Sequence, residues 1–449
     1  MKKYIFIPLI IFCGGAAMAQ TTYPIVDTKQ DLFYNNSRSI DRPKEGEPFY
    51  GQDAHHVGNT PSYTDNGDGT ITDNVTGLMW QKEFMLLSYK EAMEMAEGFT
   101  LGGHNDWRVP NIKEGYSLIL FNGTDASTRD MTEIPKGAIP FVDTLYFDFA
   151  YGANGTRPID SQLLTATISI GSSERQKLVF GVNLADGRIK SYPLVSRGEE
   201  KKYMVRFVRG AEEYGVNRFE EIAKGTVSDL ATGLMWQKED SKKGLNWQEA
   251  LEYAAKMNKK NYLGHNDWRV PNIKELQSIV DYTRSPETSQ SAAIDPIFEI
   301  SEIKNEAGER DYPFFWSSTT HCSTAAQNNG SAADYVSFGR ALGNMPQTVG
   351  RQGSGQQQQR TQQQGMRSQQ QRQQSQQGNM GGANAAQNRP NMSQQQSNTK
   401  AENWINIHGA GAQRSDPKSG DPSKYAGGRG PQGDAIRIYN YVRLVRDIE

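Results

Sequence analysis

Only two of the 449 residues are cysteine. Cys13 lies in the first, apolar stretch, so loss of that stretch leaves Cys322 alone and no intramolecular disulfide. The fold must therefore be held by packing and hydrogen bonds rather than by staples. An excess of charge of one sign is also lacking. Lys and Arg number 49 against 51 Asp and Glu, a formal net charge of −2. The chain as a whole thus gives no argument for nucleic acid or a membrane surface as partner. Beyond the first residues no apolar run is long enough to cross a bilayer. Phosphate loops, dinucleotide fingerprints, nucleophile elbows and zinc-protease motifs are missing, which weakens the case for catalysis.

What is present begins with an export signal. Lys2 and Lys3 precede an apolar run from Tyr4 to Phe12, and Ala17-Met18-Ala19 supplies the small residues a signal peptidase reads. Residues 1–19 are expected to be removed after Ala19, sending the protein to the periplasm, the cell surface or the medium, with no transmembrane segment left. Twenty Tyr, 17 Phe and seven Trp are ample for real cores.

The strongest signal is an internal duplication. TGLMWQKE occurs at Thr76–Glu83 and again at Thr232–Glu239, and HNDWRVPNIKE at His104–Glu114 and again at His265–Glu275. A spacing this long makes each copy a domain rather than a solenoid unit. The division is residues 20–60 as a lead-in, 61–210 as copy 1 and 211–449 as copy 2. Residues 345–401 of copy 2 are rich in Gln, Gly, Ser and Asn, with Arg351, Arg360, Arg367, Arg372, Arg389 and Lys400 but few apolar groups. That composition reads as a disordered, locally basic insertion.

Within each copy the periodicity gives strands, two helices, then strands. Thr70-Ile71-Thr72 and Leu78-Met79-Trp80 flank a turn at Asn74–Gly77. Ser88 and Asn246 are N-caps of an amphipathic helix, and Asn111 and Asn272 mark the start of a second. The copies close in YMVRFV at Tyr203–Val208 and YVRLV at Tyr441–Val445. The expected class is α+β.

GLMWQK, a helix, GHNDWRVPNIKEL, FWSST and YVRLVR in this order resemble the Lcl C-terminal domain family, over essentially the whole mature chain. FYGQDA at Phe49–Ala54 resembles that family's lead-in. The family includes a collagen-like surface adhesin whose terminal domain binds sulfated glycans. The resemblance therefore implies an exported binding or adhesion protein recognising glycans or other polyanions through copy 2. The element order also resembles two tandem C-type-lectin-like domains. The alternatives are a periplasmic enzyme using the HGAGAQRSD loop, or a structural surface protein.

Copy 1 has Leu164-Thr165-Ala166-Thr167 where copy 2 has Trp316-Ser317-Ser318-Thr319, and it lacks the HGAGAQRSD stretch of His408–Asp416. The candidate ligand-binding residues are therefore Trp316, Ser317, Ser318, His321, His408, Gln413, Arg414 and Asp416, with glycines that let backbone approach a ligand. No catalytic residue is assigned. Trp80, Trp107, Trp236 and Trp268 are expected in the core. Asp106 and Asp267 are expected to cap or to pair with Arg108 and Arg269. TDNGDGTITD at Thr64–Asp73 partly fits a calcium loop, with Asn66, Asp68 and Asp73 as ligands, but Thr64 and Val75 break the pattern. A hairpin turn is the preferred reading, calcium being the one cofactor considered.

Overall fold

The computed structural model describes residues 21–127, 132–171, 177–196, 198–324, 329–345, 403–430 and 432–448. The export signal and almost all of the Gln-rich insertion lie outside them. The principal elements of copy 1 are β1 (Thr70–Asp73), β2 (Met79–Gln81), β3 (Met85–Ser88), α1 (Tyr89–Ala96), α2 (Ile112–Ser117), β4 (Gln162–Ser169), β5 (Leu178–Asn183), β6 (Arg188–Pro193), β7 (Lys202–Val205) and β8 (Val208–Arg209). Copy 2 has β9 (Thr226–Asp229), β10 (Leu234–Gln237), α3 (Trp247–Lys259), α4 (Ile273–Ser278), β11 (Phe314–His321), β12 (Ala332–Ser337), β13 (Leu342–Asn344), β14 (Trp404–Asn406), β15 (Gln413–Pro417) and β16 (Val445–Asp447). This is a sheet-rich α+β arrangement. None of the described helices is long and apolar enough to cross a membrane.

Each described α-helix starts the same way. Ser88, Asn111, Asn246 and Asn272 accept from the backbone N–H three residues on, and the Glu there returns the bond to the cap backbone. These capping boxes satisfy N–H groups that a helix leaves unpaired, and make six-residue helices such as α2 and α4 feasible. The repeated GLMW strand pairs with the closing strand in both copies: Trp80 faces Val208, and Trp236 faces Val445. All four expected core tryptophans are buried.

The arginine inside each closing run is fully buried. Arg206 gives Nη1 to the carbonyls of Gln81 (2.6 Å) and Lys82, and Nη2 to Asp148 O (2.8 Å). Arg443 does the same with Gln237 (2.8 Å), Lys238 and Glu299 (2.8 Å). Burial pushes the two guanidinium groups down to about 9 and about 10. A planar group with several donors is what three converging carbonyls require, and a lysine could not replace it.

The copies are not beads on a string. One eight-stranded sheet runs β11-β12-β15-β6-β5-β4-β7-β3, and β15 of copy 2 pairs antiparallel with β6 of copy 1 at Gln413 and Ile189. One hydrophobic core contains Trp80, Phe121 and Val182 of copy 1 together with Trp236, Leu276 and Phe315 of copy 2. Each copy adds a private core, around Trp107 and Tyr203 in copy 1 and around Trp247, Trp268 and Trp316 in copy 2. Below the sheet α2 and α4 meet reciprocally. Lys113 Nζ donates to Ser278 O (2.8 Å), at the end of α4, and Lys274 Nζ donates to Ser117 O (2.9 Å), at the end of α2. Reciprocity of this kind is the mark of a twofold relation, here within one chain.

Trp268→Ala should destabilise the protein by ~3–5 kcal/mol, the usual cost of emptying a buried tryptophan site. Its indole is 2 % exposed and donates to Tyr262 O at 2.8 Å. Thermal denaturation followed by near-UV circular dichroism checks this. A melt equal to wild type would show that the side chain is not part of the core.

Candidate functional site

The eleven-residue repeat is built from ties rather than reactive groups. In copy 2, Arg269 binds Glu275 with both terminal nitrogens (2.5 and 2.8 Å), and Glu275 is also the carboxylate of the α4 capping box. Copy 1 repeats this with Arg108 and Glu114 at 2.5 Å. The expected pairing of Asp106 with Arg108 and of Asp267 with Arg269 is corrected: Asp106 pairs with Arg209 (2.6 Å) and Asp267 with Arg446 (2.7 Å). The motif's aspartate thus reaches the closing strand, while its arginine is taken by the helix cap.

Those ties frame an open cavity of about 570 Å³. The repeated residues Thr232, Leu234, Arg269, Asn272 and Glu275 line one side. Lead-in residues, including Asp27, His56 and Asn59, line the other, and Asp447 sits at its edge. The volume falls in the range of small-molecule pockets. Burial pushes the His56 imidazole down to about 4, helped by the neighbouring Arg269 and His55, so the ring is neutral at ordinary pH. In copy 1 the repeated motif meets the residues that follow the closing strand. Arg108 donates to Gly210 O (2.8 Å), and Tyr214 is buried there. The lead-in wall is anchored by Asp53, which is buried and accepts from Thr319 Oγ1 at 2.5 Å. Burial raises this carboxyl to about 7, with the Thr319 bond partly opposing the shift.

The residues singled out in the sequence go elsewhere. Trp316, Ser317, Ser318, His321, His408, Gln413 and Asp416 are all buried, and the Arg414 side chain is 14 % exposed. Trp316 donates from Nε1 to Leu245 O (2.8 Å), and Tyr335 stands between it and Arg414 in one cross-strand row. Most polar side-chain atoms of the set are bonded within copy 2: Ser317 Oγ donates to Asp334 O, Ser318 Oγ donates to Pro271 O and Asp416 accepts from the Arg437 N–H, while His321 and Gln413 also reach copy 1. His321 lies between Asp334 (3.0 Å) and Asp125 (3.4 Å). Asp125 also holds Arg188 of β6 at 2.7 Å, and Gln413 Nε2 donates to Asp334 at 2.7 Å. Burial would lower the His321 imidazole, but the Asp334 charge together with the hydrogen bonds to Asp125 and Asp334 outweighs it and the net shift is upward.

The neighbouring cluster joins His408, Arg414 and Asp434, with His408 Nε2 at 2.8 Å and Arg414 Nη2 at 2.5 Å from the carboxylate. Burial and the Arg414 charge push His408 down to about 3. Of the glycines of HGAGAQRSD, Gly411 packs against Tyr282 and Val280 of its own copy, and Gly409 serves the junction between copies. Gly409 has φ of 84°, and a Cβ there would lie 2.8 Å from Ser191 Oγ and 2.9 Å from Ser169 Oγ of copy 1. His408 O accepts from Ser191 Oγ at 2.7 Å. The close approach is to the other copy.

In the calcium-loop stretch, Asp68 accepts from Thr70 and Asp73 from the backbone of Val75 and Thr76. Asn66 bonds Thr70 and Thr72 across the turn. These bonds lie inside a hairpin, β1 being one arm. Among the described residues no group of three or more His, Cys, Asp or Glu is arranged to hold a metal. The cavity was not legible in the sequence, since its two walls lie more than 170 residues apart, as Asn59 and Thr232 show.

Fold and site together define a class: a tandem α+β protein fused about an approximate twofold, with a polar cavity framed by a repeated motif on its second copy. A model described as the Lcl C-terminal domain matches residues 69–209 and again residues 225–367. These matches cover more than half of the chain, which belongs to the Lcl C-terminal domain family. The second match stops short of β16, the strand that closes copy 2 beyond the β13–β14 hairpin. No curated protein and no solved structure matches the chain.

The Asp53 shift has a testable sign. A carboxyl with a higher pKa folded than unfolded holds its proton longer in the fold, so stability falls as pH rises through that window, here from about 4 to about 7. Each pKa unit is worth about 1.4 kcal/mol. Asp53→Asn should therefore gain stability over wild type on going from pH 4 to pH 8, read as the difference in urea midpoints. Parallel profiles would show that Asp53 does not titrate in that window.

Proposed function

We propose that this is an exported, non-catalytic binding protein that recognises glycans through copy 2. The observation that carries the reading is the polar cavity of about 570 Å³ between the lead-in and the repeated motif of copy 2. Pockets that orient a ligand by a few fixed polar groups suit recognition of a hydroxylated molecule. Membership of a family that includes a glycan-binding adhesin domain supports the class of ligand, as does the lectin-like order of strand, two helices and strand. Fold alone does not decide function. The Arg-bearing segment 346–402 supplies a second, polyanion-directed contact on the same copy. The described residues that flank it pair in the β13–β14 hairpin, Asn344 with Trp404.

A binder returns its ligand unchanged, whereas the enzymatic alternative alters it. The full chain, passed over an immobilised glycan library, should retain selected glycans saturably, and mass spectrometry should recover them with unaltered masses. Recovery of cleaved or modified glycans would replace the binding reading with an enzymatic one.

Deleting residues 347–400 should leave the melting temperature unchanged while lowering the sodium chloride concentration that elutes the protein from heparin. Exposed charges act through screened contacts, with a Debye length of ~8 Å at physiological salt. Equal retention of both proteins would show that the segment is passive.

A further inference from the structure

We infer that the cavity between the lead-in and copy 2 takes an uncharged saccharide unit rather than a sulfated or otherwise anionic one. The inference rests on the glycan-binding reading above and narrows it.

The charge of the lining comes first. Asp27, Glu275 and Asp447 face the cavity against one guanidinium, Arg269. That guanidinium is committed: it holds Glu275 through both terminal nitrogens and Asp447 at 3.2 Å. His56 adds no positive charge, because burial keeps its ring neutral. An anionic ligand would therefore enter a site with an excess of carboxylates and no free cation. It would lose its hydration without a partner, which is the costly way to bury charge.

The remaining polar groups suit hydroxyls. Neutral imidazole both donates and accepts. Asn59 gives its amide nitrogen to Ile25 O at 2.9 Å, which leaves its amide oxygen as an acceptor. Asn272 uses its side-chain oxygen for the α4 cap, which leaves its amide nitrogen as a donor. Ile25 and Leu234 supply apolar wall, and Val57, 78 % exposed, stands at the rim. A sugar ring offers hydroxyls at its edge and C–H groups on its face, so it can use both kinds of lining at once.

The duplication supplies an internal control. Arg108, Asn111 and Glu114 reproduce the same motif in copy 1, where Arg108 also donates to Gly210 O. Only copy 2 combines the motif with His56 and Asn59 of the lead-in. The specificity then resides in the lead-in residues and not in the repeated ones.

The test uses the full chain on an array of matched unsulfated and sulfated oligosaccharides, followed by calorimetric titration with the unsulfated hit. Unsulfated members should bind, and His56→Ala and Asn59→Ala should each weaken binding about tenfold, as loss of one or two ligand hydrogen bonds predicts. Melting temperatures should stay near wild type, since Asn59 is exposed and His56 lies at the cavity. Binding of sulfated members alone, weakened by His56→Ala, would overturn the uncharged class while keeping the glycan reading. Unsulfated binding untouched by both lead-in variants would place the ligand elsewhere and overturn the inference. Silence across the whole array would overturn the glycan reading itself.

Discussion

Each copy of the repeat sends a lysine into the other copy's helix. Lys113 and Lys274 donate to the last-turn carbonyls of α4 and α2, which those helices leave unpaired. Burial pushes the two ammonium groups down to about 8 and about 7, so the contact carries a desolvation cost on both sides. Such a cost is tolerable only where geometry is fixed by surrounding packing. The shared core supplies that packing, with Tyr23 and Tyr214 edge to face at 4.7 Å beside the lysines. The lysine occupies the same place in NIKE of both copies because both copies need the same reach.

This junction determines what the rest of the molecule can do. It absorbs the His321 network and, through His408 O and Gln413, part of the HGAGAQRSD loop. His321, Asp334 and Gln413 belong to copy 2, Asp125 and Arg188 to copy 1, and they interlock in one network. Copy 2 therefore carries polar residues absent from copy 1 where its strands join those of copy 1 edge to edge. The free concavity forms on the outer side, where the lead-in crosses the repeated motif.

Much of the fold was legible in the sequence. Capping residues at Ser88, Asn111, Asn246 and Asn272 marked the helix starts, because a cap and its Glu are local. GLMW pairs with the closing strand in both copies, in keeping with the shared order of the motifs. The site was far less legible. Gly409 and Gly411 signal close backbone approach, but nothing local says what is approached. A polar strand such as WSSTTH reads as a site when its partners, Asp125 and Gln30, lie hundreds of residues upstream. The cavity depends on His56 meeting Arg269, a contact that neither segment announces.

If the two copies are one cooperative unit, amides at the junction should be the last to exchange. The Ser191 N–H donates to His408 O at 3.2 Å, and the Gly115 and Leu276 N–H groups lie within α2 and α4. Native-state hydrogen exchange across a urea series measures their opening free energies directly. The account predicts that all three amides exchange only by global unfolding, with one common free energy and one common urea dependence. A lower opening energy at Ser191 than at Gly115 and Leu276 would contradict it, because the copies would then separate before either unfolds.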